Sequence, residues 1–214
     1  MNTTNILNAT NSTVGGVSSL SDADDTITVA SSVIGNIDFG GGSDQLIGIG
    51  TATVGAVAAT NLLIRGVITA GSNDITGAGT GTIWLVEGLN LTAAQAGGFT
   101  GIVLDYTDAV PGINGIDSNV SDWDELAELD NLDVIINSGD LAIGATANLI
   151  TADQNFTGTN AIDLTIHYGG GSQTTISLAW DGAENAFVSG TMVDGKHWRI
   201  TGHNADTLTL AATV

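Results

Sequence analysis

The sequence predicts an all-β fold, in which a parallel β-helix or β-solenoid-like N-terminal part precedes an antiparallel, β-sandwich-like part. Nineteen aspartates stand against four glutamates, and thirty glycines accompany them. Asp and Gly build tight turns, whereas Glu favours helices. Aliphatic residues dominate the 43% hydrophobic fraction, and aromatic residues make up only 5% of the chain. This composition suits a narrow, regularly stacked interior.

Residues 1–20 carry no charged side chain and are rich in Asn, Thr and Ser. We expect this segment to be a flexible polar arm, or an arm that becomes ordered only against a neighbouring molecule. Regular structure is expected from the Asp-rich turn at 21–25, which leads into an alternating strand at 26–29.

Residues 21–110 form the predicted β-solenoid-like region. Short apolar runs recur along this stretch, and Gly, Asn and Asp separate them. The aspartate turns follow one another at intervals of roughly 19 to 30 residues, which lies within the range of β-helix coils. Runs of this kind are typical of strands that are buried on both faces or stacked in a coil.

A second repeat spans the middle of the chain. The sequence LTAAQ at 91–95 is followed by FTG at 99–101, and ITADQ at 150–154 is followed by FTG at 156–158. In each copy the Thr and the Gln three residues later match a capping box for a short helical turn. Chance similarity in a chain rich in Thr, Ala and Gly is the alternative explanation.

Residues 111–214 form the predicted C-terminal region, which combines one short helix with β structure. The helix is expected near 121–131, because Ser121 is a good N-cap and acidic residues follow it. The boundary with the solenoid is expected near 105–120, where a Pro-Gly pair interrupts the pattern. Hairpin-like strands should follow, and the Asp-Gly pairs at 181–182 and 194–195 are the two strongest signals for the turns between them. These strands are expected at 161–168, 174–180, 186–193, 196–201 and 206–213.

The formal net charge of −20, with only three Lys and Arg residues, excludes several classes of partner. Binding to nucleic acid or to an anionic membrane needs a basic surface, so neither is expected. The chain has no Cys, which excludes disulfides and thiolate metal sites. It also lacks a run of about 20 apolar residues that would cross a bilayer as a helix. The first residues have no signal-peptide pattern, so export would need a different address.

The turn at 40–46 carries the most specific motif. It reads GGGSDQL and matches most of the calcium-binding nonapeptide G-G-x-G-x-D-x-U-x. In that motif glycine carbonyls and the Asp carboxylate face an ion; a Gly-rich turn without an ion is the alternative. Carboxylates at this density also repel one another unless cations or salt screen them. Calcium is the expected ion, and its candidate ligands are Asp22, Asp25, Asp38, Asp44 and Asp74.

Taken together, these features resemble the Asp/Gly-rich, RTX-like proteins exported by type I secretion and bacterial surface-layer or extracellular matrix proteins. The resemblance rests on the turn at 38–47, the DDTITV stretch at 24–29, the LTAAQ unit and the C-terminal DTLTLAATV at 206–214. The last segment is similar to the uncleaved C-terminal address of that family. The resemblance implies an extracellular or cell-surface location and export without an N-terminal signal peptide. The chain departs from the family in having no tandem nonapeptides.

An enzymatic activity is not expected. Polysaccharide lyases built on β-helices use Lys or Arg, and basic residues are nearly absent here. Asp105 and Asp108 could be drawn as a pair of hydrolytic carboxylates, but nineteen aspartates make one close pair expected by chance. The three histidines, His167, His197 and His203, are scattered. The last two flank one expected strand and could ligate a metal, although a surface or hydrogen-bonded role is more common.

These observations predict a secreted, self-assembling structural subunit of an extracellular layer, filament or matrix. Copies of the chain would join by edge pairing, because open sheet or solenoid ends expose unpaired backbone groups. The N-terminal arm is the first candidate for the inserted segment, and the C-terminal strand is the second. Calcium would bridge the acidic faces of neighbouring subunits, and the few fixed cations would form ion pairs between them. The expected assembly residues are Asn5, Ile6, Leu7, Leu208 and Leu210, and the cations are Arg65, Lys196 and Arg199.

Two alternatives stay open. The first is a monomeric adhesion or glycan-binding module, in which Trp180 or Trp198 stacks on a sugar ring of a cell-surface glycan. Core packing is nevertheless the commoner role for Trp in a chain this poor in aromatics. The second alternative is a phage tail or decoration component, which shares the β-rich, assembly-prone character.

Overall fold

The computed structural model describes residues 3–17, 20–66, 68–69, 75–78, 80–86, 90–91, 96–97, 99–107, 118–120, 132–152 and 155–214. Within these residues the protein is almost entirely β structure. A parallel β-solenoid of about 4 turns is followed by antiparallel strands in a later sheet. The fold class expected from the sequence is therefore confirmed. The helix expected near 121–131 and residues 92–95 and 153–154 of the two capping-box turns lie outside the described residues.

Strands alternate with short turns along the described chain. In the first half they are β1 (Ile6–Thr10), β2 (Thr13–Val17), β3 (Thr26–Ala30), β4 (Val33–Asp38), β5 (Ser43–Ile49), β6 (Ala52–Val54), β7 (Val57–Ala59), β8 (Asn61–Arg65), β9 (Ile68–Thr69), β10 (Ile75–Gly77), β11 (Thr82–Val86), β12 (Asn90–Leu91) and β13 (Ala96–Gly97). In the second half they are β14 (Gly101–Asp105), β15 (Ser118–Val120), β16 (Leu132–Asn137), β17 (Thr146–Ala152), β18 (Ile162–Tyr168), β19 (Ser172–Asp181), β20 (Ala186–Val188), β21 (His197–Thr201) and β22 (Thr207–Thr213). Two short 3-10 segments, Ser138–Asp140 and Gly169–Gly171, follow β16 and β18.

A parallel ladder of strands builds the first face of the solenoid, in the order β1-β3-β5-β8-β11-β14-β16-β18. A second face contains β13-β10-β7-β4-β6-β9, with β2 paired to β4. Hydrogen-bonded residues on neighbouring early coils are 18 to 21 positions apart in the chain. This spacing follows from the sequence, because each coil supplies strands for both faces and the Asp/Gly turns between them.

The core is a stack of aliphatic side chains at one inward position of the parallel ladder. Ile27 pairs with Leu46, Leu46 with Ile64, and Ile64 with Leu85. None of the four is more than 2% exposed. Alternation along each strand turns the neighbouring residues outward. The narrow interior accepts branched aliphatic side chains, which agrees with the scarcity of aromatic residues.

Antiparallel strands cover one end of the parallel ladder. β18 pairs antiparallel with β19, and the sheet continues through β20, β21 and β22 to β17. The four strands β19, β20, β21 and β22 are here called the capping strands. The Asp-Gly turn expected at 194–195 is present, with φ angles of 51° and 73° and a bridge between Val193 and Lys196. Bulky side chains concentrate where the aliphatic stack ends, and those fully buried are Phe156, Phe187 and Trp198.

The first residues differ from the expected arm. Residues 6–17 form β1 and β2, which pair in parallel with β3 and β4 and make the first coil of the solenoid. Leu7 aligns with Ile27, and Ala9 is 3% exposed. The segment is ordered because its alternating apolar residues continue the inward rows of the next coil. Its polar composition concealed this short alternation.

A glycine pair on the second face tests how closely the coils stack. A Cβ atom at Gly35 would lie 2.1 Å from the carbonyl oxygen of Gly15, whereas a Cβ at Gly15 would have no neighbouring atom within 4 Å. We expect Gly35→Ala to lower the free energy of unfolding by about 1–3 kcal/mol, because the coils must separate. Gly15→Ala should change it much less. Urea unfolding followed by circular dichroism measures both, and equal stability of the two variants would contradict close stacking here.

Candidate functional site

The glycine turn that carries the calcium motif connects β4 to β5. Gly40 and Gly42 have positive φ angles of 79° and 109°. A Cβ atom at Gly42 would lie 2.5 Å from the carbonyl oxygen of Ala23, in the turn of the preceding coil. The glycines are therefore needed for the turn conformation and for the close stacking of two turns.

The carbonyl groups of this turn are bonded to the next coil. Thr60 Oγ1 donates to the Gly40 carbonyl at 3.2 Å, and Asn61 Nδ2 donates to the Gly42 carbonyl at 3.1 Å. Asn61 Oδ1 in turn accepts from the Thr82 N–H at 3.0 Å. Side chains of the protein thus bond the carbonyls that face an ion in the nonapeptide motif.

Asp25 and Asp44 form a column of buried acids on the inner side of the turns. Asn5 donates its N–H and Nδ2 to Asp25 Oδ1 at 2.5 and 3.0 Å, and the Asp25 N–H donates to Asp44 Oδ1 at 3.0 Å. The two acids are 0% and 1% exposed. The Oδ2 atom of each is buried without a hydrogen-bond partner among the described residues. Leu62 and Ile83 occupy the same position in the next two coils. The two acids therefore lie in a column that continues with apolar residues.

Burial raises the pKa of Asp44 from 3.8 to about 6. Loss of hydration is the main cause; the hydrogen bond from the Asp25 N–H lowers the pKa, and the charges of Asp25 and Asp24 raise it again. The charge of Asp44 therefore varies within the ordinary pH range. A bound proton or cation would relieve the cost of two carboxylates buried side by side.

The remaining predicted calcium ligands do not join this pair. Asp38 accepts the Gly40 N–H at 3.2 Å within its own turn, Asp22 lies beside Gly41, and Asp74 lies outside the described residues. In the described part of the chain, no group of three or more His, Cys, Asp or Glu side chains could hold a metal ion. Calcium takes about six to eight oxygen ligands, and the acid pair offers two unpartnered oxygens. Calcium binding at this turn stays a prediction.

The predicted assembly residues have unequal environments. Ile6 is 71% exposed on the edge strand β1, Leu7 is partly buried against the core, and Asn5 bonds the acid pair. Leu208 and Leu210 are 0% and 2% exposed in β22, which is paired on both sides with β21 and β17. The C-terminal strand is an interior strand of the sheet, so it is not a free segment for insertion into a neighbour.

Trp180 and Trp198, the candidate residues of the glycan-binding alternative, pack against the protein itself. Trp198 is 1% exposed, and its Nε1 donates to the Val193 carbonyl at 3.3 Å. Trp180 is partly buried, with its ring centroid 5.0 Å from that of Phe187 and 4.5 Å from that of His203. Trp198 is not available as a stacking platform, because its ring is buried in the core and no face of it is open to a ligand.

Sequence reasoning missed Trp84, which is 36% exposed on the outer face of β11. The signal was present, because Ile83 and Leu85 are buried on either side and alternation turns the residue between them outward. Trp84 Nε1 donates to Asp105 Oδ2 at 3.2 Å. Asp105 therefore bonds an indole, while Asp108, with which it could be drawn as a hydrolytic pair, lies outside the described residues.

A second acidic pair, Asp133 and Asp163, was also missed. The two residues are partners on the adjacent strands β16 and β18, and both are exposed. Partial desolvation, and then the charge of Asp163, raise the pKa of Asp133. Each Asp stands between two apolar residues in the sequence, and this shared pattern was the signal that would have aligned them.

Two of the three fixed cations are engaged within the chain. Lys196 Nζ donates to the carbonyl oxygens of Ser138 and Leu141, the latter at 2.7 Å. Arg199 forms an ion pair with Glu184 at 3.3 Å. These contacts hold the capping strands. Ion pairs between subunits stay a prediction.

Comparison with protein-family models, curated proteins and solved structures finds no match to this chain. No helical segment in the described residues has the length and apolar character needed to cross a membrane. The strand edges, the buried acids and the outer face of the solenoid are the features of this chain that bear on its function.

The raised pKa of Asp44 predicts how the stability of the protein depends on pH. Its pKa rises from 3.8 to about 6 on folding, so between these pH values the folded state alone holds the proton. The free energy of unfolding should therefore increase as the pH falls from about 7.5 through 6. Asn keeps the Oδ1 acceptor and carries no charge. We expect Asp44→Asn to be more stable than the unmodified chain at about pH 7.5 and less sensitive to pH.

Urea midpoints at about pH 7.5 and pH 5 measure this effect. Asp206→Asn, which removes an exposed acid in the turn before β22, is the matched control and should follow the unmodified chain. The interpretation fails if the stability of Asp44→Asn and that of the unmodified chain change by the same amount between the two pH values.

Proposed function

We propose that this protein is a structural subunit that self-associates through the open end of its β-solenoid. The contrast between the two ends of the parallel ladder carries this proposal. β1 is the outermost strand of the long sheet, and β2 pairs with β4 alone among the described strands. At the other end β18 is covered by antiparallel β19. Unpaired strand edges favour the addition of a strand from another molecule.

The backbone groups at the open edge can be identified from two hydrogen bonds. The Thr26 N–H donates to the Asn5 carbonyl, and the Asn11 N–H donates to the Ala30 carbonyl. The backbone N–H and C=O groups of odd-numbered residues in the first strand therefore point towards β3. In a parallel pair the direction of these groups alternates from one residue to the next. The N–H and C=O groups directed at the free edge belong to Ile6, Asn8 and Thr10.

The charge distribution favours a second copy of this chain as the partner. Residues 1–20 carry no charged side chain in a protein of net charge −20. Two copies would therefore meet at this end with less repulsion than at their acidic surfaces. Ile6, which is 71% exposed, would also remove apolar surface from water on contact.

Contact between two open ends uses the same surface on both copies, so it closes into a two-fold pair. Growth into a layer, filament or matrix then needs a second contact. Calcium is the proposed bridge, because it binds carboxylates and would link the acidic surfaces of neighbouring pairs. The extracellular location rests on the sequence resemblance and stays a prediction.

Substitutions of Asn8 test edge pairing. Asn8→Pro removes the N–H at the free edge without removing a hydrogen bond to β3, whereas Asn8→Ala removes the same side chain and keeps the N–H. In sedimentation velocity we expect a two-fold pair for the unmodified chain and for Asn8→Ala, and a monomer for Asn8→Pro. Circular dichroism establishes that each variant is folded.

Asn8→Asp gives a second test that leaves the backbone unchanged. Like charges on the facing edges should weaken the pair at low salt and weaken it less at high salt. The assembly proposal is wrong if the unmodified chain is a monomer at every concentration. It is equally wrong if Asn8→Pro and Asn8→Asp both associate as strongly as Asn8→Ala.

Bridging by calcium predicts that the two-fold pairs associate further into larger assemblies. Light scattering and electron microscopy should show ordered larger assemblies as calcium is added. EGTA should return them to the two-fold pair and not to the monomer, because edge pairing needs no ion. Magnesium is the control, since it retains its waters and bridges carboxylates poorly. If magnesium or sodium chloride causes equal growth, charge screening and not specific bridging by calcium explains the larger assemblies.

A further inference from the structure

A groove crosses the outer face of the long sheet between β5 and β11. Its volume of about 310 Å³ lies within the range of ligand pockets. Two rows of outward-facing residues border it, because neighbouring coils place equivalent positions side by side. The residues that line it include Ser43, Gln45, Asn61, Leu63, Thr82 and Trp84.

The indole of Trp84 is held in one orientation at this groove. Its Nε1 donates to Asp105 Oδ2 at 3.2 Å. Asp105 Oδ1 accepts from the N–H and the Oγ1 of Thr107, at 2.9 and 2.7 Å. Trp84 stays 36% exposed. An aromatic ring that is exposed and already fixed loses little conformational freedom when a ligand binds, as a binding platform requires.

The accessible polar groups of the groove are neutral. Ser43 and Gln45 are exposed, and their hydroxyl and amide groups both donate and accept hydrogen bonds. Asn61 is already bonded to the turns on both sides and keeps the wall in place. Asp44, the one ionisable side chain in the described lining, is 1% exposed.

We propose that this groove binds a neutral glycan, with a sugar ring against the face of Trp84 and its hydroxyl groups bonded to Gln45 and Ser43. Sugars present apolar C–H faces and many hydroxyl groups, which match an indole beside an amide and a hydroxyl. Anionic glycans are disfavoured, because the net charge is −20 and the described lining contains no Lys or Arg. The site does not depend on self-association.

The shape of the surface favours an extended chain over a single sugar. A second depression of about 370 Å³ shares Thr82 and continues to Asp133 and Asp163, whose carboxylates can accept hydrogen bonds from sugar hydroxyls. Gly101, which also lines it, has no side chain to close the passage. Both depressions follow the solenoid axis, along which strands repeat every ~4.8 Å. A linear polysaccharide laid along this axis would meet equivalent positions of successive coils.

Affinity electrophoresis of the full chain tests the proposal. Native gels contain a soluble β-glucan, mannan or xylan, or alginate as an anionic polysaccharide. We expect at least one neutral polysaccharide to retard the unmodified chain and alginate to leave its mobility unchanged. Trp84→Ala and Gln45→Ala should each weaken binding about tenfold. Ile49→Ala, which removes another exposed apolar side chain of β5 outside the groove, is the control and should bind normally.

Three outcomes would overturn the proposal: no retardation of the unmodified chain by any of the neutral polysaccharides, stronger retardation by alginate, or equal binding by Trp84→Ala and Ile49→Ala. Circular dichroism shows whether Trp84→Ala is folded, and Trp84→Phe, which keeps an aromatic ring, should retain part of the binding. Asn8→Pro should bind the glycan with unchanged affinity, so a failure of assembly and a failure of this site can be told apart.

Discussion

The in-register stacking of parallel coils is the constraint on which the rest of this structure depends. Each strand of the ladder lies against the same position of the coil before it, so Ile27, Leu46 and Ile64 form one apolar column. A shift of one residue would turn these side chains to the outside. Stacking also presses turn against turn, which is why Gly42 lies so close to Ala23 that a Cβ atom has no room.

The same register gives the aspartates of this chain two different roles. Among the described residues, several lie in exposed turns, as Asp38 does when it accepts the N–H of Gly40. Asp25 and Asp44 instead meet at the first inward position of neighbouring coils, where a backbone N–H of one coil bonds the carboxylate of the next. Two acids that would be solvated in isolated turns become a buried pair, and their charge becomes part of the energetics of the solenoid.

The two ends of the stack of coils differ in structure. Bulky aromatic side chains and the capping strands close one end, with Lys196 and Arg199 bonded among them. At the other end the outer edge of β1 pairs with no described strand, and residues 1–20 carry no charged side chain. The proposed self-association through that edge and the proposed ligand binding on the outer face would use separate surfaces. A monomeric and an assembled form could therefore carry the same binding groove.

Composition and alternation determined the fold class, the spacing of the coils and the Asp-Gly hairpin turn, because these depend on neighbours within a few residues. They also determined that no basic surface exists. The tertiary structure decided that residues 6–17 form a coil, that Asp25 and Asp44 share a column while Asp22 and Asp38 do not, and that Trp84 lies on the surface while Trp198 is buried. Each of these depends on which positions of different coils come into register and which faces the capping strands cover. Contacts between residues about 20 positions apart or more leave no trace in a local pattern, so the sequence by itself could propose the candidates but not select among them.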